Sequence, residues 1–161
     1  MALLEEMSKY FADAPAEALL GIVVGNPAEA PATCEPLLWV DDVTENPAAG
    51  TTEVWEIYNT TADAHPIHVH EIAFEVVDRQ AIVFDEATRQ VSLAVGSAPR
   101  AREAWETGVK DTVISYPGEV TRIRGRFSNP GQFVWHCHIV EHEDNEMMRP
   151  FRIGPEQPGQ P

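Results

Sequence analysis

The residues of this chain best suited to chemistry are its six histidines and one of its two cysteines, which all lie in two short segments. The first segment, residues 65–70, reads His-Pro-Ile-His-Val-His, and the second, residues 136–142, reads His-Cys-His-Ile-Val-Glu-His. A single histidine is most often a hydrogen-bonded core or surface residue. Several imidazoles grouped with a thiolate are typical of a transition-metal site, because both groups bind such ions well. The clustering therefore predicts metal binding.

Strand alternation divides these side chains between two faces. Successive side chains of a β-strand point to opposite sides, so that residues two apart share a face. In the first segment His68 and His70 share a face, and His65 has the opposite parity. In the second segment Cys137 points away from the two histidines beside it. One face therefore collects His65, Cys137 and His142, and the other collects His68, His70, His136 and His138.

The face that contains Cys137 has the ligand types of a blue-copper electron-transfer centre. In such a centre two imidazoles and a thiolate form a trigonal plane, and a methionine thioether binds weakly on its axis. Met147, ten residues after Cys137, is the candidate axial ligand, and the neighbouring Met148 is interpreted as core packing. Soft sulfur ligands favour Cu(I) while imidazoles suit both oxidation states, so electron transfer needs little rearrangement.

The other face is purely imidazole and suits copper ions that bind dioxygen or water. Its four histidines are too few to hold a three-copper cluster. Zinc is the competing metal, because closely spaced Cys and His also form tetrahedral structural sites. Two cysteines are too few for the usual paired-cysteine zinc knuckle, and an axial thioether has no role at zinc, so the ligand types favour copper. Cys34, the second cysteine, is interpreted as a free thiol.

Short β-strands are predicted to hold these segments in place. From residue 51 onward, runs rich in β-branched and aromatic residues alternate with turn signals such as Tyr-Pro-Gly-Glu at 116–119 and Ser-Asn-Pro-Gly at 128–131. Between the runs that end at residue 77 and begin at residue 112, residues 85–108 show a weak pattern and predict an irregular loop. Six or more short strands at this spacing indicate an all-β, antiparallel Greek-key fold. The predicted strands are 53–58, 67–77, 112–115, 119–127, 132–139 and 148–153.

The sequence that precedes this β-rich region is predicted to differ from it. Its first apolar side chains follow a helical spacing and predict one or two short helices: Leu3, Leu4, Met7, Tyr10 and Phe11. Residues 25–50 are rich in Pro, Ala and Asn and predict a covering loop with one strand at 37–40. We therefore expect a helical and linker segment over 1–36, one domain over 37–155 and a disordered tail over 156–161.

Composition disfavours two classes of partner. Asp and Glu number 26 against 11 Lys and Arg, so the net charge of −15 would repel nucleic acid phosphates and anionic membrane surfaces. With 161 residues, 43% of them hydrophobic, the chain has the size and core content of one ordinary domain. Apolar runs are too short to cross a bilayer, and the start lacks the pattern of a secretion signal. The compartment stays undecided, because a signal would belong to any preceding portion.

At its two histidine segments the chain resembles the multicopper oxidases. The last domain of those proteins carries a His-Pro-x-His-x-His segment and a His-Cys-His-x-x-x-His-x-x-x-x-Met segment, and both stand here without a gap. The second segment, with the Glu-Asp-Asn-Glu-Met-Met-Arg-Pro that follows it, is similar to the bacterial spore-coat laccase, bilirubin oxidase and phenoxazinone synthase branch. The resemblance covers about residues 37–153 and implies a Greek-key cupredoxin β-sandwich or barrel.

The resemblance also implies roles for the individual residues. It implies a type 1 copper bound by His65, Cys137, His142 and Met147, a type 2 ligand at His68, and type 3 ligands at His70, His136 and His138. In the family a substrate gives single electrons to the type 1 copper, and the Cys-His link passes them to a trinuclear cluster that reduces dioxygen to water. Glu143 resembles a position that can supply protons, although it is equally interpreted as a solvated carboxylate in an acidic run.

The chain departs from the family pattern at the remaining cluster ligands. In the family these histidines come from an amino-terminal cupredoxin domain as two His-x-His pairs, which this sequence lacks. We therefore expect a domain of a laccase-like oxidase that acts on phenols, aromatic amines or metal ions. It would be completed by another domain, another chain or a second copy, and would accept electrons near an exposed edge of His142 or His65. The alternative is a stand-alone blue-copper electron-transfer or copper-binding module without oxidase activity.

Overall fold

The computed structural model describes residues 1–7 and 15–156, and this part of the chain is built almost entirely of β-strands. In these ranges the only helix has four residues, and no helix is long and apolar enough to cross a membrane. The prediction of an all-β fold is confirmed. The elements are β1 (Ala2–Met7), β2 (Pro15–Val24), β3 (Ala32–Leu37), β4 (Thr51–Asn59), β5 (His65–Val69), β6 (Phe74–Asp85), β7 (Gln90–Leu93), β8 (Arg100–Ala101), β9 (Thr112–Ser115), β10 (Glu119–Phe127), β11 (Gly131–Cys137), α1 (Val140–Glu143) and β12 (Met148–Ile153).

The strands form two sheets. The larger has eight strands in the order β10-β4-β1-β2-β3-β7-β6-β8, and β10 also pairs with β6, so that this sheet closes on itself. Closure leaves few unpaired strand edges. The smaller sheet has the order β12-β11-β5-β9, with all its pairings antiparallel. The small sheet carries the first part of each histidine segment, because β5 begins with His65 and the neighbouring strand β11 ends with His136 and Cys137.

An apolar core joins the two sheets. Trp55 of β4 stacks on Phe127 of β10 with ring centroids 4.9 Å apart, and it meets the edge of Phe151 of β12 at 5.4 Å. The alternation along β5 and β11 turns Ile67 and Trp135 into the same core, where both are fully buried. Because aromatic pairs of this kind prefer stacked or edge-to-face contact, they fix the small sheet on the larger one.

The expected amino-terminal helices are not found in the described residues of this segment, where 2–7 and 15–24 are strands. β1 lies between β2 and β4 in the closed sheet. Leu3 packs into one apolar cluster, while Leu4 packs into a second cluster on the other side. A strand buried on both faces has no polar alternation, so its adjacent leucines imitate a helical spacing. Tyr10 and Phe11, which also carried the prediction, lie outside the described residues.

Three predicted strands, 112–115, 119–127 and 148–153, coincide with β9, β10 and β12. The predicted strand 67–77 is instead two strands, β5 and β6, separated by a turn in which Glu71 has a φ of 70°. The strand expected at 37–40 lies earlier, as β3, and residues 38–40 are exposed. The stretch 85–108 holds the short strands β7 and β8. The predicted disordered tail, beyond residue 156, lies outside the described residues.

Candidate metal centre

Cys137 is the last residue of β11, the strand between β12 and β5 in the small sheet. Alternation along β11 turns Trp135 and Cys137 into the core, so the thiol is fully buried. His65, the first residue of β5, is also fully buried beside it. Cys137 and Cys34 are both free thiols, which agrees with their interpretation from the sequence.

The segment after β11 turns back toward Cys137 and brings two further side chains with it. It contains α1, which carries the half-buried His142. The backbone N–H of Met147 donates to the carbonyl of His142 at 3.0 Å, and the N–H of Cys137 donates to the carbonyl of Met147 at 3.0 Å. These main-chain bonds hold Met147, which is fully buried, next to Cys137. Met148 is half-buried on β12, where it pairs with His136.

Three donor atoms converge in what we call the cysteine–histidine group, His65, Cys137 and His142. The Cys137 Sγ lies 3.7 Å from His65 Nδ1 and 3.9 Å from His142 Nδ1, and the two nitrogens are 3.2 Å apart. Consider a metal ion bound in a trigonal plane, about 2.0 Å from each nitrogen and about 2.3 Å from the sulfur. This geometry requires about 3.7 Å between the sulfur and each nitrogen and about 3.5 Å between the two nitrogens. The residues present therefore fit a trigonal copper site.

Burial sets the protonation of this group. The pKa of His65 is lowered to about 4, first by burial and then by the neighbouring His142, so the ring is neutral at pH 7 and its lone pair is available. Burial raises the pKa of the Cys137 thiol, with Glu143 and Glu5 acting in the same direction. A metal ion must bind the thiolate, so its binding at neutral pH releases the thiol proton.

A second convergence, the histidine group, consists of His68, His70 and His136, whose donor atoms lie within 4.8 Å of one another. The Nε2 atoms of His70 and His136 are 3.2 Å apart. His68 and His70 are partly exposed, and His136 is buried. The group lies on the face of β5 and β11 that points away from Cys137, as strand alternation predicts.

Backbone carbonyls select which nitrogen two of the three rings present in the histidine group. His68 Nδ1 lies 2.9 Å from the carbonyl of Asp111, and His136 Nδ1 lies 3.0 Å from the carbonyl of Cys137. A carbonyl oxygen only accepts, so these nitrogens are the donors in both contacts. In the neutral rings Nε2 is then unprotonated and free to bind a metal ion. Such outer partners orient metal-binding imidazoles.

His138 and Glu143, also singled out from the sequence, lie at the margin of the histidine group. The ring of His138 is 5.6 Å from that of His136 and 6.0 Å from that of His68, but its donor atom is not among those that converge. The Glu143 carboxylate lies 3.5 Å from His136 Nδ1 and is partly exposed. Glu143 therefore contacts the outer edge of His136.

Two residues beside His65 were not identified from the sequence. Thr61 Oγ1 lies 2.7 Å from His65 Nε2, and a Glu5 oxygen lies 3.5 Å from the same atom. Together they cover the outer edge of His65, which is fully buried, so the expectation of an exposed edge there is wrong. His142 is half-buried, so of these two rings it is the one with surface exposed to solvent. The sequence does not identify Glu5, because the spacing of its neighbours predicts a helix. It does not identify Thr61, because no metal-binding motif includes it.

Comparison with known families gives a match over most of the chain. A family model described as multicopper oxidase matches residues 15–157. A laccase from Bacillus subtilis (strain 168) is 48% identical over 118 residues, which cover 71% of this chain and 23% of the relative. A laccase from Bacillus stratosphericus is 46% identical over 116 residues, with the same coverage of 71% and 23%.

Solved structures agree with the sequence comparison. The crystal structure of a laccase from Pediococcus acidilactici Pa5930 is similar to this chain with a TM-score of 0.59 and 31% identity, over 77% of this chain and 24% of the laccase. A multi-copper oxidase from Pediococcus acidilactici gives a TM-score of 0.61 and 29% identity, over 81% and 25%. The chain thus spans about a quarter of the length of the proteins it matches.

Proposed function

The chain belongs to the multicopper oxidase family, and we propose that it forms the electron-accepting copper site, and part of the dioxygen site, of a laccase-like oxidase. Family membership implies copper as the cofactor. The observation that carries the proposal is the convergence of two imidazole nitrogens and a thiol sulfur within 3.9 Å of one another. We propose that His65, Cys137 and His142 hold the type 1 copper, with Met147 as the axial ligand.

The position of Cys137 supports electron transfer between the two groups. Its sulfur belongs to the cysteine–histidine group, and its chain neighbour His136 belongs to the histidine group. The carbonyl of Cys137 also accepts the hydrogen bond of His136 Nδ1, so a covalent path and a hydrogen-bonded path both join the groups. Copper bound in the cysteine–histidine group would take single electrons from a substrate, and this path would lead them to the other group.

The composition of the histidine group supports the proposal that a second domain or chain supplies further copper ligands. We propose that His68 is a type 2 ligand and that His70, His136 and His138 are type 3 ligands of a trinuclear cluster. These histidines are too few for three copper ions, and two of the converging rings are partly exposed. The remaining ligands would come from another cupredoxin domain, in the same or another chain, or from a second copy.

Substrate oxidation and proton supply are further parts of the proposal. The relatives from Bacillus are named laccase, which supports phenols, aromatic amines or metal ions as substrates. The half-buried His142 is the proposed entry point for electrons, because the other ring of the group is fully buried. Glu143, 3.5 Å from His136, is proposed to supply protons to dioxygen reduction.

A second candidate is a copper-binding or electron-transfer module without oxygen chemistry. One observation favours it: the cysteine–histidine group is contained within this chain, whereas the histidine group is not sufficient for a three-copper cluster. Electron transfer alone needs only the first group.

Copper loading tests the proposal in two steps. The protein loaded with copper should show an intense absorption band toward the red, which arises from the Cys137 thiolate. A folded, copper-loaded protein without this band would contradict the type 1 assignment. Oxygen uptake with a phenol is then measured with and without an amino-terminal cupredoxin domain from a relative. Uptake only in the mixture supports the oxidase, and a coloured protein that never consumes oxygen supports the electron-transfer module.

A further inference from the structure

We propose that Thr61, oriented by Asn59, is a positioning residue that keeps a proton on Nε2 of His65 and so leaves Nδ1 free to bind metal. The proposal rests on the proposed role of His65 as a ligand. It deepens that role by naming the residues that decide which nitrogen His65 presents. None of the residues involved belongs to either histidine segment except His65 itself.

The chain of hydrogen bonds starts at two backbone carbonyls. The Nδ2 atom of Asn59 lies 2.8 Å from the carbonyl of Asp63 and 2.9 Å from the carbonyl of Ser115. Carbonyl oxygens only accept, so the amide nitrogen of Asn59 must face them and its Oδ1 must face the other way. Asn59 is fully buried at the end of β4, which leaves no solvent to replace these partners. The orientation of the amide is therefore determined.

The Asn59 oxygen in turn fixes the hydroxyl of Thr61. Oδ1 accepts from the backbone N–H of Thr61 at 3.0 Å and lies 2.8 Å from Thr61 Oγ1. Because Oδ1 carries no hydrogen, the Thr61 hydroxyl must donate its single proton in this contact. The only other carbonyl near the hydroxyl, that of Asp63 at 3.2 Å, is also an acceptor. In either case Oγ1 has only lone pairs left to offer, and one of them accepts from the backbone N–H of Asp63 at 3.3 Å.

The other lone pair of Thr61 Oγ1 faces His65 Nε2, which lies 2.7 Å away. A short contact to an oxygen that has already donated its proton requires a proton on Nε2. The neutral imidazole then has its lone pair on Nδ1, which points at Cys137 Sγ and His142 Nδ1, 3.7 Å and 3.2 Å away. The opposite tautomer would place two lone pairs 2.7 Å apart in a fully buried site.

Glu5 is the competing partner of the same nitrogen. One of its oxygens lies 3.5 Å from His65 Nε2, is buried and has no hydrogen-bond partner in the described part of the chain. This distance is too long for a good hydrogen bond, whereas the Thr61 contact is well within range. Thr61 is therefore the acceptor, and Glu5 is a neighbour that does not determine the tautomer.

The test reads the tautomer directly in the metal-free protein. Long-range proton–nitrogen correlation NMR distinguishes the protonated from the unprotonated ring nitrogen, and a His65→Gln variant assigns the signals. The wild-type protein should show His65 with its proton on Nε2. Thr61→Val, which has nearly the same shape but no acceptor, should shift His65 toward the other tautomer. It should also weaken copper binding by roughly 10–100-fold, as loss of such outer partners does.

Three variants separate this role from a general structural one. Thr61→Ser retains the hydroxyl and should behave as wild type. Thr60→Val removes the neighbouring hydroxyl, which donates to the carbonyl of Leu3, and should leave the tautomer and the copper affinity unchanged. Glu5→Gln should also retain the wild-type tautomer. A shift in Glu5→Gln but not in Thr61→Val would overturn the proposal in favour of Glu5.

The wild-type spectrum alone can overturn the proposal, even if Thr61→Val does not fold, because a proton on Nδ1 contradicts it. The tautomer is measured without metal, so it holds or fails independently of oxidase activity. If copper does not bind at His65 although its proton lies on Nε2, the proposed function fails and the tautomer assignment stands.

Discussion

The cysteine–histidine group and the histidine group lie on opposite faces of β5, β11 and the residues that directly follow them, yet they differ in how much of a site this chain builds alone. His65 and Cys137 are fully buried, and the returning segment after β11 adds His142 and Met147 from the same chain. In the histidine group, two of three rings are partly exposed.

The difference follows from which side of the small sheet each group faces. The core that joins the two sheets buries His65 and Cys137, and all three donor atoms of the cysteine–histidine group come from this chain. The opposite side of β5 and β11 has no such cover on His68 and His70. One domain is thus sufficient to assemble the proposed electron-accepting site, whereas the proposed oxygen site needs a second surface to close it.

Cys137→Ser should have the largest effect, because it should abolish one group of ligands and leave the other intact. Serine removes the only sulfur of the three converging donors, so the proposed red absorption band should disappear completely. Copper affinity of the histidine group should remain, because its three rings are untouched. The measurement is copper titration followed by absorption and electron paramagnetic resonance. The matched variant, His70→Ala, should retain the band and weaken binding at the histidine group, and the reverse outcome would contradict the division into two groups.

Ile67→Ala should reveal how strongly the shared core supports both groups. Ile67 is fully buried, pairs with Cys137 across the sheet and shares the core-facing side of β5 with His65. Its truncation should lower the free energy of unfolding by about 2–5 kcal/mol, as for other buried isoleucines. Ile114→Ala on the adjacent strand β9 is the control, because Ile114 is 38% exposed, and its loss should cost well under half as much. Denaturant unfolding of both variants measures the difference, and equal costs would contradict it.

The contrast between the groups also explains what could be predicted from the sequence. Strand parity separated Cys137 from His136 and assigned their faces, because alternation is a local property of the backbone. β10 was located to the residue because turn signals bound its alternating run. The spacing of Leu3 and Leu4 predicted a helix wrongly, because β1 is buried on both sides and only the closed sheet reveals this. The contact of Glu5 with His65 joins residues sixty positions apart, and no local pattern encodes it.

A third buried polar site is an ion pair rather than a group of possible metal ligands. Arg79 is fully buried and donates two hydrogen bonds of 2.7 Å to the Glu106 carboxylate. This contact with Arg79 lowers the pKa of Glu106 below its usual value. The ion pair therefore stabilises the fold above the unfolded-state pKa of about 4.3, and this contribution is lost as the pH falls through the lower folded-state pKa.

Glu106→Gln should make the stability of the fold less dependent on pH. Between neutral pH and pH 3, the wild-type melting temperature should fall more steeply than that of the variant, because glutamine has no proton to gain. Glu75→Gln is the control: Glu75 pairs with Arg124 at the surface, where salt bridges contribute little, so its acid dependence should stay close to wild type. Parallel curves for wild type and Glu106→Gln would show that this pair does not determine acid stability.

The smallest effect is expected from His138→Ala, which determines whether His138 belongs to the histidine group in the isolated chain. His138 is exposed, and its donor atom does not converge with those of His68, His70 and His136. In the isolated chain, replacement should leave the red absorption band unchanged and alter copper binding at the histidine group less than His70→Ala does. If a partner domain completes a three-copper cluster, the same replacement should reduce oxygen uptake in the mixture, because His138 then has a copper ion to bind. A large loss of copper from the isolated His138→Ala protein would instead mean that the ring already binds metal in this chain, and that the histidine group is more complete than its exposed rings indicate.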